Sequence, residues 1–303
     1  MIKRIFLLSF LALLPIQSFA SVLVSVRPLG FIAAAIADGV TDTEVLLPNG
    51  ASPHDYALRP SDIKRINNAD LVVWVGDEME PFLVKPLTEK ANNQQIKVKN
   101  LSSVMPLLRH ADDNDEDAEE HGDDHGHTHD HGSTDLHVWM SPEIALYTAV
   151  AISERLQELF PEQKDKVKAN LQYFQTQINH LPEKIGSILN PVKQHGYFVF
   201  HDGYGYFESF AGLNNVGHFT VNPVITPGAR TLSEIKQKIE QHQVSCVFAE
   251  PQFRPAVIDA VARGTSVNIG TLDPLGEKVS LGKDSYVQFL EQLSQQYASC
   301  LSK

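Results

Sequence analysis

EQKDKVKANLQYFQTQINHLPEKIGSILN, running from Glu162 to Asn190, is polar, charged and rich in helix-forming residues. Val167, Leu171, Phe174, Ile178 and Leu181 recur in it at spacings of three and four, which places them on one stripe of a helix. Pro182 removes one backbone donor inside the pattern, so the spacing predicts a single long helix with a kink. On either side the chain changes character. Short apolar runs there alternate with amphipathic segments, the signature of parallel βαβ units.

Before the long helix, strands are expected at 22–26, 44–47, 71–75 and 96–98, with helices at 30–37 and 61–68. Ser141-Pro142 opens a further helix with a capping serine and a proline at its first position, and Pro161 stops it. After the long helix, strands are expected at 197–200, 218–221, 244–248 and 267–269. Helices are expected at 204–210, at 231–241 behind the capping pair Thr231 and Glu234, at 255–263 and at 285–301. The fold class is therefore α/β: two lobes, each a mostly parallel sheet flanked by helices, joined by one long helix. The divisions are residues 21–160, a linking helix over 161–194, and residues 195–303. A helical connector limits how far two lobes can swing.

The first 20 residues carry Lys3 and Arg4, an apolar run from Ile5 to Leu14, and a small-residue boundary at Ala20. That pattern describes a cleavable secretory signal peptide, too short in its apolar part to span a bilayer. No cysteine follows the boundary to carry a lipid, so cleavage is expected to release a soluble protein. Losing Lys3 and Arg4 moves the formal charge from −12 to −14. The chain offers no basic stripe of the kind nucleic acid requires. Cys246 and Cys300 are the two cysteines. In an exported chain they are most simply a disulfide; a two-thiolate metal site is the competing reading, although neither lies in a C-x-x-C or C-x-x-H spacing.

One segment cannot belong to any core. Between His110 and His131 the chain holds six histidines (His110, His121, His125, His127, His129 and His131) and ten carboxylates, with nothing apolar larger than alanine. This loop, 110–132, attracts metal, but weakly and at several places, because each ion would have to order a segment without fixed geometry. The structured pattern resumes at Asp135-Leu136-His137-Val138-Trp139.

Ligands of open parallel sheets bind beyond the carboxyl ends of the strands. Three separate histidines meet that condition: His54 in Gly50-Ala51-Ser52-Pro53-His54, His137 just past the His-rich loop, and His201 at the end of Tyr197–Phe200. Three imidazoles suffice for Zn²⁺ with a carboxylate or water as fourth donor, and neutral nitrogen donors favour zinc over the harder manganese. Asp273 is the candidate fourth ligand. Glu250 is expected to stand behind a ligand histidine or at the lobe interface. His180, His195, His218 and His242 have weaker claims. An imidazole must be neutral to coordinate, so affinity is expected to fall below a pH of about 6.5.

The segments GASPHDYALRPSD, LHVWMSPEIA, YFVFHDGYGYFE, CVFAEPQFRP and TLDPLG, in this order and with an acidic His-rich insert before the second, resemble the ZnuA-type zinc-binding proteins that serve bacterial ABC importers. The resemblance spans essentially the whole chain after residue 20. It implies two α/β lobes joined by one rigid helix, with the metal held between them by His54, His137 and His201. Similar proteins for manganese have carboxylates at two of the four ligand positions, so histidine at 201 supports zinc. Enterobacterial members carry Glu before the first histidine, where this chain has Pro53; that leaves Asp273 or water as the fourth donor. The implied function is high-affinity capture of Zn²⁺ in the periplasm by a monomer, followed by delivery to the membrane permease of an ABC importer, with ligand exchange rather than enzymatic chemistry.

Other functions fit less of the chain. A zinc hydrolase could use the same histidines with Glu250 or Asp202 as base, but there is no H-E-x-x-H helix and no His/Cys/Cys deaminase pattern. Gly203-x-Gly205 lacks the third glycine of a dinucleotide loop. A manganese- or iron-binding transport protein of the same fold, and a surface adhesin, are the remaining alternatives; the missing lipid-attachment cysteine argues against the adhesin.

Overall fold

The two runs of alternation build two separate four-stranded sheets, both wholly parallel. The structure is a computed structural model and describes residues 21–101, 134–241, 244–253 and 256–303. Residues 1–20, the loop 110–132 with its six histidines, and His242 lie outside the described residues. The first sheet contains β1 (Ser21–Val24), β2 (Asp42–Val45), β3 (Leu71–Trp74) and β4 (Gln95–Lys97) in the order β2-β1-β3-β4. The second contains β5 (Tyr197–His201), β6 (Asn215–Thr220), β7 (Cys246–Ala249) and β8 (Asn268–Thr271) in the order β6-β5-β7-β8. Every residue of β3 and β5 is buried, as expected of central parallel strands covered on both faces, whereas edge strand β2 is exposed or half-buried throughout.

Nine helices among the described residues cover the sheets: α1 (Arg27–Ala37), α2 (Pro60–Asn68), α3 (Pro81–Leu87), α4 (Pro142–Leu159), α5 (Lys164–Leu189), α6 (Gly205–Ala211), α7 (Ala229–Gln241), α8 (Ala256–Ala262) and α9 (Ser285–Leu301). Helix α4 starts as its sequence predicts, with Ser141 Oγ accepting the backbone N–H of Ile144. Helix α1 begins at Arg27 rather than at 30, because Pro28 suits a first turn that has no use for its missing donor. Strand β2 ends two residues before the expected 47, yet Leu46 and Leu47 still donate to the carbonyls of Val24 and Ser25.

The long helix α5 continues through Pro182. It is not a bare strut. It packs along α4 and α1 from the first half and α9 from the second. Asn170 Nδ2 donates to the carbonyls of Ile36 and Asp38, both at 2.9 Å, fixing α5 to the end of α1. On the other side Tyr173 donates to Asp284 at 2.6 Å and Lys184 pairs with Glu291 at 2.9 Å. Helix α9 also lies on α1, so one hydrophobic core runs through both halves; a second, smaller core of Phe198, Phe219, Ile235 and Ile258 lies under α7 and α8. Cys246 of β7 and Cys300 of α9 form a disulfide, with Cα atoms 6.1 Å apart. No helix among the described residues is long and apolar enough to cross a membrane.

Candidate metal centre

His54, His137 and His201 reach one point from three different loops. His54 sits in the loop after β2, its backbone N–H donating to Ser52 Oγ at 3.2 Å. His137 caps a single tight turn, Val138–Met140. His201 is the last residue of β5. One nitrogen from each of the three lies within 4.8 Å of the others. The ring centroids are 4.6 Å apart for His137 and His201, 5.0 Å for His54 and His201, and 5.5 Å for His54 and His137. His137 and His201 are buried, while His54 is half-buried.

Two of the rings are backed by carboxylates. Asp135 Oδ1 accepts both the backbone N–H of His137 at 2.9 Å and contacts its ring Nδ1 at 2.7 Å. With Nδ1 engaged there, Nε2 of His137 turns inward, buried and without a protein hydrogen-bond partner. Glu250 Oε1 lies 3.4 Å from Nδ1 of His201 and accepts the hydroxyl of Tyr204 at 3.0 Å. Burial pushes the Glu250 carboxyl up to about 8, against the opposing effects of the Tyr204 hydrogen bond and the nearby His137. A carboxylate behind an imidazole fixes its tautomer and raises its basicity as a ligand, which suits this cluster to a divalent cation. Gly203 permits the close approach: a Cβ there would meet His201 Cε1 at 2.9 Å and His137 Nε2 at 3.0 Å.

Asp273 is not brought to the cluster. Its Oδ1 accepts the backbone N–H groups of Leu275 (3.1 Å) and Gly276 (2.9 Å), and its Oδ2 that of Glu277 (2.7 Å). The carboxylate is engaged by the turn that follows it, and the converging group consists of the three histidines without it. Pro53 lines the pocket beside His54, along with Ser52, Trp139 and Phe253. Of the other histidines, His195 Nδ1 lies 2.6 Å from the carbonyl of Leu301, and neither it nor His180 or His218 joins the cluster. The sequence gives Asp135 and Tyr204 no role and considers Gly203 only for a dinucleotide loop; the Asp-x-His spacing is the available signal for the first, masked by the ten carboxylates that precede it.

With the geometry in place, comparison with known proteins gives a family. A family model described as zinc-uptake complex component A, periplasmic, matches residues 22–300. The chain belongs to the ZnuA family. The ZnuA of Yersinia pestis, a high-affinity zinc uptake system protein, is 57% identical over 290 residues, covering 93% of this chain and 91% of that relative. The ZnuA of Haemophilus influenzae, described in the same words, is 44% identical over 320 residues and covers 95% of each chain. A crystal structure of ZnuA superposes with a TM-score of 0.76 at 23% identity, over 93% of this chain and 99% of that one, and at that identity speaks for the fold.

Proposed function

We propose that this ZnuA-family chain captures Zn²⁺ with high affinity in the periplasm and delivers it to the membrane permease of an ABC importer. The observation that carries the reading is the convergence of three imidazoles from three loops, their nitrogens within 4.8 Å, two of them backed by buried carboxylates. The ligands are His54, His137 and His201, with water as the fourth donor, since Asp273 is engaged by three backbone N–H groups. Asp135 and Glu250 orient His137 and His201 from behind. Nitrogen-rich coordination of this kind selects zinc over manganese. No covalent step is needed: the ion exchanges water for imidazole on capture and the reverse on delivery. The protein acts as a monomer, and the His-rich loop 110–132 is an accessory, weaker binder.

The deciding experiment is competition titration of the chain after residue 20 against a zinc chelator. Tight binding of one ion is expected, lost in His201→Ala and retained, at lower total stoichiometry, when residues 111–132 are deleted. A His201→Ala variant that keeps the tight site, or manganese displacing zinc at equal concentration, refutes the assignment.

A further inference from the structure

Glu277 belongs to the second half, in the loop after β8, yet its carboxylate reaches the loop that carries His54. Its Oε1 accepts the backbone N–H of Gly50 at 2.7 Å and the side-chain amide of Gln252 at 2.9 Å. Gly50 lies four residues before His54, and Gln252 two residues after Glu250. One oxygen therefore joins the loop bearing one histidine to the segment whose carboxylate stands behind another. The base of Glu277 is itself fixed, because Asp273 accepts its backbone N–H at 2.7 Å along with those of Leu275 and Gly276. Gly50 has a φ of +79°, a left-handed backbone that a larger residue would resist.

The His137 segment is attached to the second half differently. Tyr206 donates to the carbonyl of Asp135 at 3.1 Å, Trp139 Nε1 to the carbonyl of Pro274 at 3.0 Å, and Tyr286 to the carbonyl of Trp139 at 2.9 Å, all three buried. His137 and His201 thus stand on one braced platform. The His54 loop is exposed at Pro48, Asn49 and Gly50, and its bond to Glu277 is at the surface. It is the part of the site with the weaker attachment across the cleft, and Glu277 is a residue that attaches it.

We propose that Glu277 is a positioning residue for metal capture: by tying Gly50 to Gln252 it holds the His54 loop against the bound ion and sets how long that ion stays. This rests on the reading of the three histidines as a zinc site. The test is stopped-flow release of zinc from the full chain after residue 20 into excess chromogenic chelator. Loss of a half-exposed, charge-assisted hydrogen bond in Glu277→Ala is expected to speed release by about 5-fold. Glu277→Gln, which keeps an oxygen able to accept from Gly50, is expected to recover most of that difference. The melting temperature of the metal-free proteins is measured alongside, since a merely structural role would lower it without changing release from the folded state. Unchanged release in Glu277→Ala, or equal release from the Ala and Gln variants, overturns the proposal. Wild-type protein that shows no tight zinc overturns the site assignment itself, and the two failures are thereby distinct.

Discussion

Replacing Gly203 with alanine tests the metal centre through its steric tolerance. The added Cβ would lie 2.9 Å from His201 Cε1, 3.0 Å from His137 Nε2 and 3.1 Å from His137 Cδ2. Ordinary carbon contacts sit at about 3.5–4.0 Å, so both rings must retreat by roughly half an ångström or more. Gly203 has no left-handed backbone, so the change adds bulk and no conformational strain. In the metal-free protein the rings can move apart to make room. Zinc must draw them together again, and the overpacking cost of roughly 1–3 kcal/mol then appears in binding. That corresponds to zinc affinity roughly 5- to 150-fold weaker, measured by chelator competition. Gly282→Ala is the control, because a Cβ there meets nothing within 4 Å; its affinity is expected to stay within about twofold of wild type. Affinity of Gly203→Ala within about threefold of wild type would show that His137 and His201 do not close on a common ion.

Three further outcomes follow from the same geometry. Asp135→Asn removes the charge behind His137 and is expected to weaken zinc binding by roughly 10- to 100-fold in the same titration, with unaltered affinity refuting the role given to Asp135. Glu208 is buried under Tyr197 and Asn215, and burial raises its carboxyl from 4.5 to about 7. Because the folded value is the higher one, its contribution is full below pH 4.5 and is lost as pH rises through about 7, a decline of roughly 3 kcal/mol in metal-free stability that urea unfolding of Glu208→Gln should show diminished. Opening the Cys246–Cys300 bridge by the paired serine substitution releases a separation of 54 residues, with an expected loss of about 4 kcal/mol on the chain-entropy estimate; an unchanged urea midpoint would count against it.

Much of the fold was legible because its elements carry their own punctuation. Ser141, Pro142 and Pro161 bracket α4, and the stripe from Val167 to Leu181 marks α5 as far as Pro182, beyond which the helix continues to Leu189. Helix α3 was not legible: it is seven residues long, with Pro81 at its start and Pro86 inside, too short to show a period and too rich in a breaker to invite one. At the site, the three histidines stand alone after strands, where a polar residue is conspicuous. Asp273 shares that strand-end position, but three backbone donors in the turn 274–277 engage its oxygens, and such engagement depends on loop conformation that strand-end logic does not reach. Asp135 was hidden for the opposite reason, being one more acid at the end of an acidic run.

The packing of α9 on α1 bears on how the chain folds. Phe31 and Phe289 pack with tilted rings, centroids 5.5 Å apart, and Ser285 reaches the carbonyl of Phe31 across 254 residues of sequence. Until α9 is in place, the outer face of α1 lacks its cover, however early the first sheet is synthesised. The nucleus of the first half therefore cannot be completed from local contacts alone, and such non-local topology slows folding. A chain still on the ribosome that has not yet presented residues 285–301 remains open along this face, and transiently exposed apolar surface of this kind favours aggregation. Folding and completion of the chain are coupled by a single terminal helix.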